Sequence, residues 1–171
     1  LIASLNLKIK SRVLEVGPGE GQLLSELSAK FKNLVALDNS QEMLEKCKKT
    51  ISLTSRKGVE FILGDTSTAL NNNIVSDLVI FNMVLHHIPT PAKMFRDAYS
   101  LLSVGGNLLI VDLCSHDQDW VRNSCGDLWL GFEEADLNHW AKKAKLVAGQ
   151  SAYLALRNGF QIQMRVFRKN I

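Results

Sequence analysis

The sequence predicts an α/β protein built on a seven-stranded sheet, mostly parallel, that ends in an antiparallel hairpin. Three observations carry this expectation. Apolar runs of strand length alternate with helical stripes nearly to the end of the chain, the pattern of parallel strands joined by crossover helices. A glycine-rich turn, Gly17-Pro18-Gly19-Glu20-Gly21, joins the first strand to the first helix. Arg157-Asn158-Gly159 sits between two apolar runs near the C-terminus, and Asn-Gly in that setting is the strongest short-range hairpin signal.

Taken in order, Arg12 to Val16 reads as the first strand, and Leu23, Leu24, Leu27 and Phe31 fall on one face of the helix after it. Asn33 to Leu37 makes a second strand ending at Asp38. Ser40 then caps a helix that turns Met43, Leu44 and Cys47 inward. Val59 to Leu63 is the third strand, followed by Gly64-Asp65-Thr66 and a polar loop through Asn71, Asn72 and Asn73. Asp77 to Phe81 is the fourth. Thr90-Pro91 starts a helix, with threonine as cap and proline at the first helical position. Phe95, Ala98 and Leu102 supply its buried stripe, and Gly105-Gly106 breaks the chain before a fifth strand, Asn107 to Leu113. Cys114 to Gly131 is a polar, aromatic-bearing insertion without a regular pattern. Leu137, Trp140, Ala141 and Ala144 mark another amphipathic helix, and Ala152 to Leu156 with Phe160 to Phe167 form the hairpin.

No repeat, low-complexity stretch or linker divides the chain, so residues 1–171 read as one domain. Leu1 is not a natural start, and a further segment or domain is expected ahead of it. A net charge of +3 is too small for a nucleic-acid partner, and the densest basic groups lie on helices whose faces are solvated. No apolar run approaches the roughly 20 residues of a membrane span. Cys47, Cys114 and Cys125 are odd in number and lack metal-ligand spacing, which favours a reducing cytoplasm. No metal is expected: His116 with Asp117 and Asp119 reads as a hydrated turn.

In an open α/β sheet, ligands bind beyond the carboxyl ends of the strands. The candidate residues all fall there. The spacing G-x-G-x-G differs from a dinucleotide fingerprint, whose third glycine would stand where Gln22 is, and so disfavours a nicotinamide oxidoreductase. It suits a compact ligand with an amino acid portion and a nucleoside, such as S-adenosylmethionine. Glu15, in an otherwise apolar strand, needs a partner; the ligand's ammonium or the glycine turn itself would serve. Asp38 can accept both ribose hydroxyls, or else cap the next helix, and Asn39 follows it. Asp65 can accept the adenine amine, or else make a plain turn, while Thr66 offers a backbone donor. Met43 lies against the adenine face or in the core. Asn82 and Met83 would border the sulfonium.

These segments resemble the ordered motifs of class I S-adenosylmethionine-dependent methyltransferases: Val13 to Gly21, Leu37-Asp38, Gly64-Asp65-Thr66, Asp77 to Pro89 (DLVIFNMVLHHIP) and Gly105 to Asp112. The likeness is to the small-molecule, type 11 or ubiquinone-biosynthesis-like branch. The segments HDQDWVRNSCGDLWLGFEEADL and YLALRNGFQIQM further resemble methyltransferase domains fused to, or encoded beside, ArsR-type winged-helix regulators. The resemblance implies a Rossmann-like fold, S-adenosylmethionine as cofactor, and methyl transfer to a small-molecule acceptor, chiefly by proximity and orientation. A non-catalytic S-adenosylmethionine sensor is the alternative. His86 and His87 are the candidate bases. Trp120, Arg122 and Trp129 are candidate acceptor contacts, the tryptophans alternatively anchoring the insertion. Asn82-Met83-Val84-Leu85 stands where amino-group DNA methyltransferases carry their Pro-Pro motif, and no Pro-Cys pair for cytosine chemistry is present.

Overall fold

The computed structural model describes residues 1–53 and 58–170. Its strands are β1 (Arg12–Val16), β2 (Asn33–Asp38), β3 (Val59–Leu63), β4 (Ser76–Asn82), β5 (Leu102–Leu113), β6 (Leu146–Ala155) and β7 (Gln161–Lys169). They form one seven-stranded sheet in the order β3-β2-β1-β4-β5-β7-β6. The first five pair in parallel, and β7 runs antiparallel between β5 and β6. Strand order reverses at β1, so a crevice opens beyond the carboxyl ends of β1 and β4. This is the Rossmann-like sheet expected.

Alternation along the central strands divides their side chains between two cores. Val13, Leu34, Ala36, Leu78 and Ile80 meet Leu24 and Leu27 of α1 (Gln22–Leu27) and Leu44 and Cys47 of α2 (Gln41–Ser52). On the other side, Leu14, Val35, Leu37, Val79 and Phe81 join a larger cluster. It includes Ala69 of α3 (Thr66–Asn71), Phe95 and Ala98 of α4 (Pro91–Leu101), and Leu137 and Ala141 of α6 (Glu134–Lys143). Burying each such leucine or phenylalanine contributes about 1.5–3 kcal/mol. Between β5 and α6 lies α5 (Trp120–Cys125).

Several local expectations are corrected. The polar stretch after β3 begins as helix α3, because Asp65 caps it reciprocally: its Oδ1 accepts the Thr68 N–H at 3.1 Å, and Thr68 Oγ1 accepts the Asp65 N–H at 3.3 Å. Leu102 is buried but opens β5 rather than ending α4. That strand runs through Gly105-Gly106 at the cost of a slip in its ladder with β4, and Gly105 takes φ +79°. Strand β6 starts at Leu146, six positions before the expected Ala152; most of its side chains are exposed, so it carries no alternation to read. Thr90 stands at the N-cap of α4, yet its side chain makes no capping bond. The unassigned insertion contains α5, which ends at Gly126 in the left-handed region, φ +73°. It is tied to the sheet by a bridge between Cys114 and Phe132.

Candidate functional site

The glycine turn leaves β1 with Gly17, Gly19 and Gly21 all at positive φ, +67°, +57° and +84°. Two of them are also held by close neighbours. A Cβ on Gly17 would stand 2.7 Å from Val84 Cγ2, and one on Gly21 would stand 2.7 Å from Cys47 Sγ. Gly19 differs: nothing lies within 4 Å of its missing Cβ, so its face is open to a ligand. A cleft of about 280 Å³ lies over the turn, lined by Pro18, Glu20, Gln22, Leu23 and Asn82.

Beneath this turn sits Glu15, 1 % exposed. Its side chain bonds that of Asn82, while its Oε2 has no hydrogen-bond partner. Burial pushes its carboxyl up from 4.5 to about 7, and the Asn82 bond opposes that rise only in part. Cys47, on the same side of the sheet, is pushed up to about 11 by burial and by the charges of Glu15 and Asp38. A buried carboxylate with one unanswered oxygen suits a cationic group arriving from the cleft.

The other nucleoside candidates ring the same end of the sheet. Asp38 ends β2, half-buried, and accepts the Ser40 N–H through Oδ1 at 2.9 Å. Asn39 is exposed beside it, and Met43 is half-buried in the first turn of α2, its N–H bonded to Ser40 Oγ at 3.3 Å. Asp65 is exposed, with Oδ1 committed to the α3 cap. Thr66 follows as the first residue of that helix, so its N–H has no intrahelical acceptor. Its buried hydroxyl bonds Asp97 of α4. Asn82 ends β4, and Met83 turns out of the strand at φ +55°, a strained setting for a non-glycine residue.

After Met83 the chain makes a short 3-10 turn, Leu85–His87. The adjacent histidines part company there: His86 is buried and His87 is exposed. Their ring centroids lie 4.0 Å apart. The Nδ1–H of His86 donates to Oδ1 of Asp112, near the end of β5, at 2.7 Å. Asp112 also accepts the Leu113 and His86 backbone N–H groups, at 2.7 and 3.3 Å. Burial pulls the His86 pKa down, but the bond to Asp112 and the charges of Asp112 and Asp127 outweigh it and leave it above the ordinary value.

Asp127, just past α5, is 5 % exposed, and its Oδ1 has no hydrogen-bond partner. That oxygen lies 3.8 Å from His86 Nε2 and 3.6 Å from His87 Nδ1. The segment carrying it is pinned in place. The His86 carbonyl accepts the Leu128 and Trp129 N–H groups at 3.0 and 3.1 Å, and the Trp129 indole donates to the Ile88 carbonyl at 2.9 Å. Sequence reading made neither Asp112, which it met only as the end of a motif segment, nor Asp127 a site residue. A carboxylate inside an apolar strand was a usable signal for Asp112, but Asp127 had none.

Of the residues expected over the acceptor, Trp129 packs between Phe132 and Trp140. Trp120 is exposed, bonds Gln118 at 3.0 Å and leans edge-on toward Phe160. Arg122 reaches the Leu128 carbonyl at 3.1 Å, which braces the loop around Asp127.

A family profile for a methyltransferase domain matches residues 7–161 of this chain. The chain belongs to that family. It is 26 % identical over 137 residues to the carboxy-S-adenosyl-L-methionine synthase of Shewanella piezotolerans, covering 78 % of this chain and 56 % of that protein. It is 28 % identical over 138 residues to the chloroplastic 2-methyl-6-phytyl-1,4-hydroquinone methyltransferase 2 of Oryza sativa subsp. japonica, covering 79 % and 38 %. The methyltransferase domain thus spans about half the length of these curated relatives, or less. It shares its fold with the N-methyltransferase NodS of Bradyrhizobium japonicum, solved with S-adenosyl-L-homocysteine: TM-score 0.74, 16 % identity, 93 % of this chain and 78 % of that one.

Proposed function

We propose that this domain binds S-adenosylmethionine in the cleft over Gly17 to Gly21 and catalyses methyl transfer to a small-molecule acceptor beyond β4 and β5. The observation that carries the reading is Glu15: a buried carboxylate with an orphan oxygen, behind a turn whose middle glycine is open. It fits the ammonium of the ligand's amino acid portion. Asp38 accepts the ribose hydroxyls and Asn39 lies beside them. Asp65 receives the adenine amine through the oxygen not committed to its cap, with the Thr66 N–H toward the ring and Met43 on the ring's face. Asn82 and Met83 border the sulfonium. When bound, that sulfonium supplies an electrophilic methyl group.

The chain's own contribution is orientation. Displacement at a sulfonium is in-line, so holding an acceptor atom about 3 Å from the methyl carbon supplies most of the acceleration. His86 and His87 stand on the acceptor's side; they position it and, for an oxygen or nitrogen nucleophile, receive its proton. Trp120 and Arg122 flank the entrance and Trp129 supports it. The finer likeness to domains associated with winged-helix regulators belongs to this proposal, as does a fused or adjacent regulator. Residues 1–171 acting as a single domain belongs to it as well. Cytoplasmic residence is supported by three free cysteines; among the described residues no helix is long and apolar enough to cross a membrane.

Calorimetric titration with S-adenosylmethionine and S-adenosylhomocysteine, followed by an acceptor screen read out as S-adenosylhomocysteine formed, tests the proposal. Saturable uptake with product formation is expected. Uptake without product from any acceptor would point to the sensor, and no uptake at all would end the cofactor assignment.

A further inference from the structure

We infer that His86, His87 and Asp127 form a binding site for a divalent transition-metal ion, with Asp112 as the carboxylate that orients His86. The three side chains offer ligand atoms that all lie within 4.8 Å of one another. The contacts of 3.6 and 3.8 Å made by Asp127 Oδ1 are too long for hydrogen bonds. They are close to the spacing of ligand atoms around one tetrahedral zinc, about 3.4 Å for bonds of about 2.0–2.1 Å.

Three further features separate this cluster from a chance meeting of polar groups. First, the Nδ1–H of His86 is held by Asp112 at 2.7 Å, which fixes the tautomer that leaves Nε2 with its lone pair toward Asp127. Metal-bound histidines almost always donate their other ring N–H to a carboxylate, a backbone carbonyl or a water, and Asp112 is such an acceptor. Second, Asp112 and Asp127 are both buried, and the oxygen of Asp127 that faces the imidazoles has no hydrogen-bond partner. The His86 imidazole is committed to Asp112, and the exposed His87 makes no hydrogen bond to Asp127, whereas a divalent cation held among the three side chains balances both carboxylates. Third, the backbone just after Asp127 is held: the Leu128 and Trp129 N–H groups donate to the His86 carbonyl, Arg122 donates to the Leu128 carbonyl and the Trp129 indole to the Ile88 carbonyl.

Two imidazoles and one carboxylate suit zinc, iron, cobalt or manganese and leave coordination positions open. The exposed His87 side provides the entry path. Its Nδ1 would exchange a long contact with the Gly126 carbonyl, 3.3 Å, for the metal. Resting on the proposed function, an acceptor hydroxyl at an open position would pass its proton to water more readily with the ion bound, and His86 and His87 would receive that proton only in the ion-free protein.

The probe is Co²⁺, followed by its visible d–d absorption, with Zn²⁺ uptake measured by equilibrium dialysis. Wild-type protein is expected to bind one equivalent of each. Asp127→Asn, nearly isosteric, and His87→Ala, at an exposed position, are each expected to weaken binding more than about 100-fold. Asp112→Asn is expected to weaken it about 10–100-fold. Circular dichroism checks that each variant is folded. Asp38→Ala should bind metal as wild type does while losing S-adenosylmethionine affinity, so the two proposals stand or fall separately. No stoichiometric uptake by wild type, or uptake unchanged in both folded ligand variants, overturns the metal site.

Discussion

Replacing Glu15 with glutamine should make the ligand-free protein more stable in alkali, by an amount that follows from the raised pKa of the buried carboxyl. Burial pushes this carboxyl up from 4.5 to about 7. Below the lower value it is protonated in folded and unfolded chains alike, and no penalty exists. Between the two values the folded chain keeps a proton that the unfolded chain has released, so stability falls as pH rises. Above 7 both are ionised and the whole cost of the buried charge stands. At about 1.4 kcal/mol per pKa unit, that cost is about 3 kcal/mol. Urea unfolding of wild type and Glu15→Gln at about pH 5 and about pH 8 should show the gap between them widen by about 2.5 kcal/mol in favour of the variant. Comparing the two proteins cancels the titrating groups that do not interact with Glu15; Cys47, which does, is pushed up to about 11 and stays protonated in the fold at both pH values. A ligand ammonium docking on Glu15 would lower its pKa again. Uptake of S-adenosylmethionine near pH 6 should therefore release close to one proton in wild type and fewer in the variant, measurable by calorimetry in buffers of different ionisation enthalpy. A stability gap that stays constant across pH would refute the claim that Glu15 is a charge buried against its preference.

The remaining predictions concern the turn, the ribose site and the histidines. Asp38→Ala should weaken S-adenosylmethionine binding about 100-fold through loss of two charge-assisted hydrogen bonds, and unchanged affinity in calorimetry would remove the ribose assignment. Gly17→Ala should cost about 2 kcal/mol in urea unfolding, because it forces a side chain to φ +67° against Val84; the double variant with Val84→Ala should recover part of it. His86→Ala and His87→Ala should lower turnover with any identified acceptor far more than they change S-adenosylmethionine affinity. If neither variant alters turnover, the histidines have no part in the reaction.

The fold was legible wherever a strand had an apolar side to bury. β1, β2 and β4 were located to within a residue or so, because they are central strands whose apolar runs are buried on both faces; the edge strand β3 was located from Val59, Phe61 and Ile62, although only Ile62 is buried. The failures fall where that pressure is absent. Strand β6 lies at the sheet edge with most side chains exposed, so its first six residues, Leu146 to Ser151, left no mark in the pattern. Helix α3 rests on one buried alanine and a capping box, too little for periodicity to register. Strand β5 passes through Gly105-Gly106 because the slip in its ladder with β4 absorbs the irregularity, which a local reading takes for a break.

The candidate site divides along the same physical line. Glu15 could be singled out because a charge in an apolar strand must be answered by something, and a single sequence displays that mismatch. Asp112 presents the identical mismatch, at the end of Leu108-Leu109-Ile110-Val111, and its answer is the His86 imidazole. The rule flags Asp112 as needing a partner near the end of the neighbouring fourth strand; that the partner is His86, in the turn past that strand, comes from the folded structure. Asp127 is a different matter. It sits in a polar segment where another aspartate attracts no notice, and its burial depends on the backbone of Leu128 and Trp129 closing on the His86 carbonyl. That contact joins positions some forty residues apart through a loop with no pattern of its own. Only the folded arrangement brings an ordinary loop carboxylate, with one oxygen lacking a hydrogen-bond partner, beside two imidazoles.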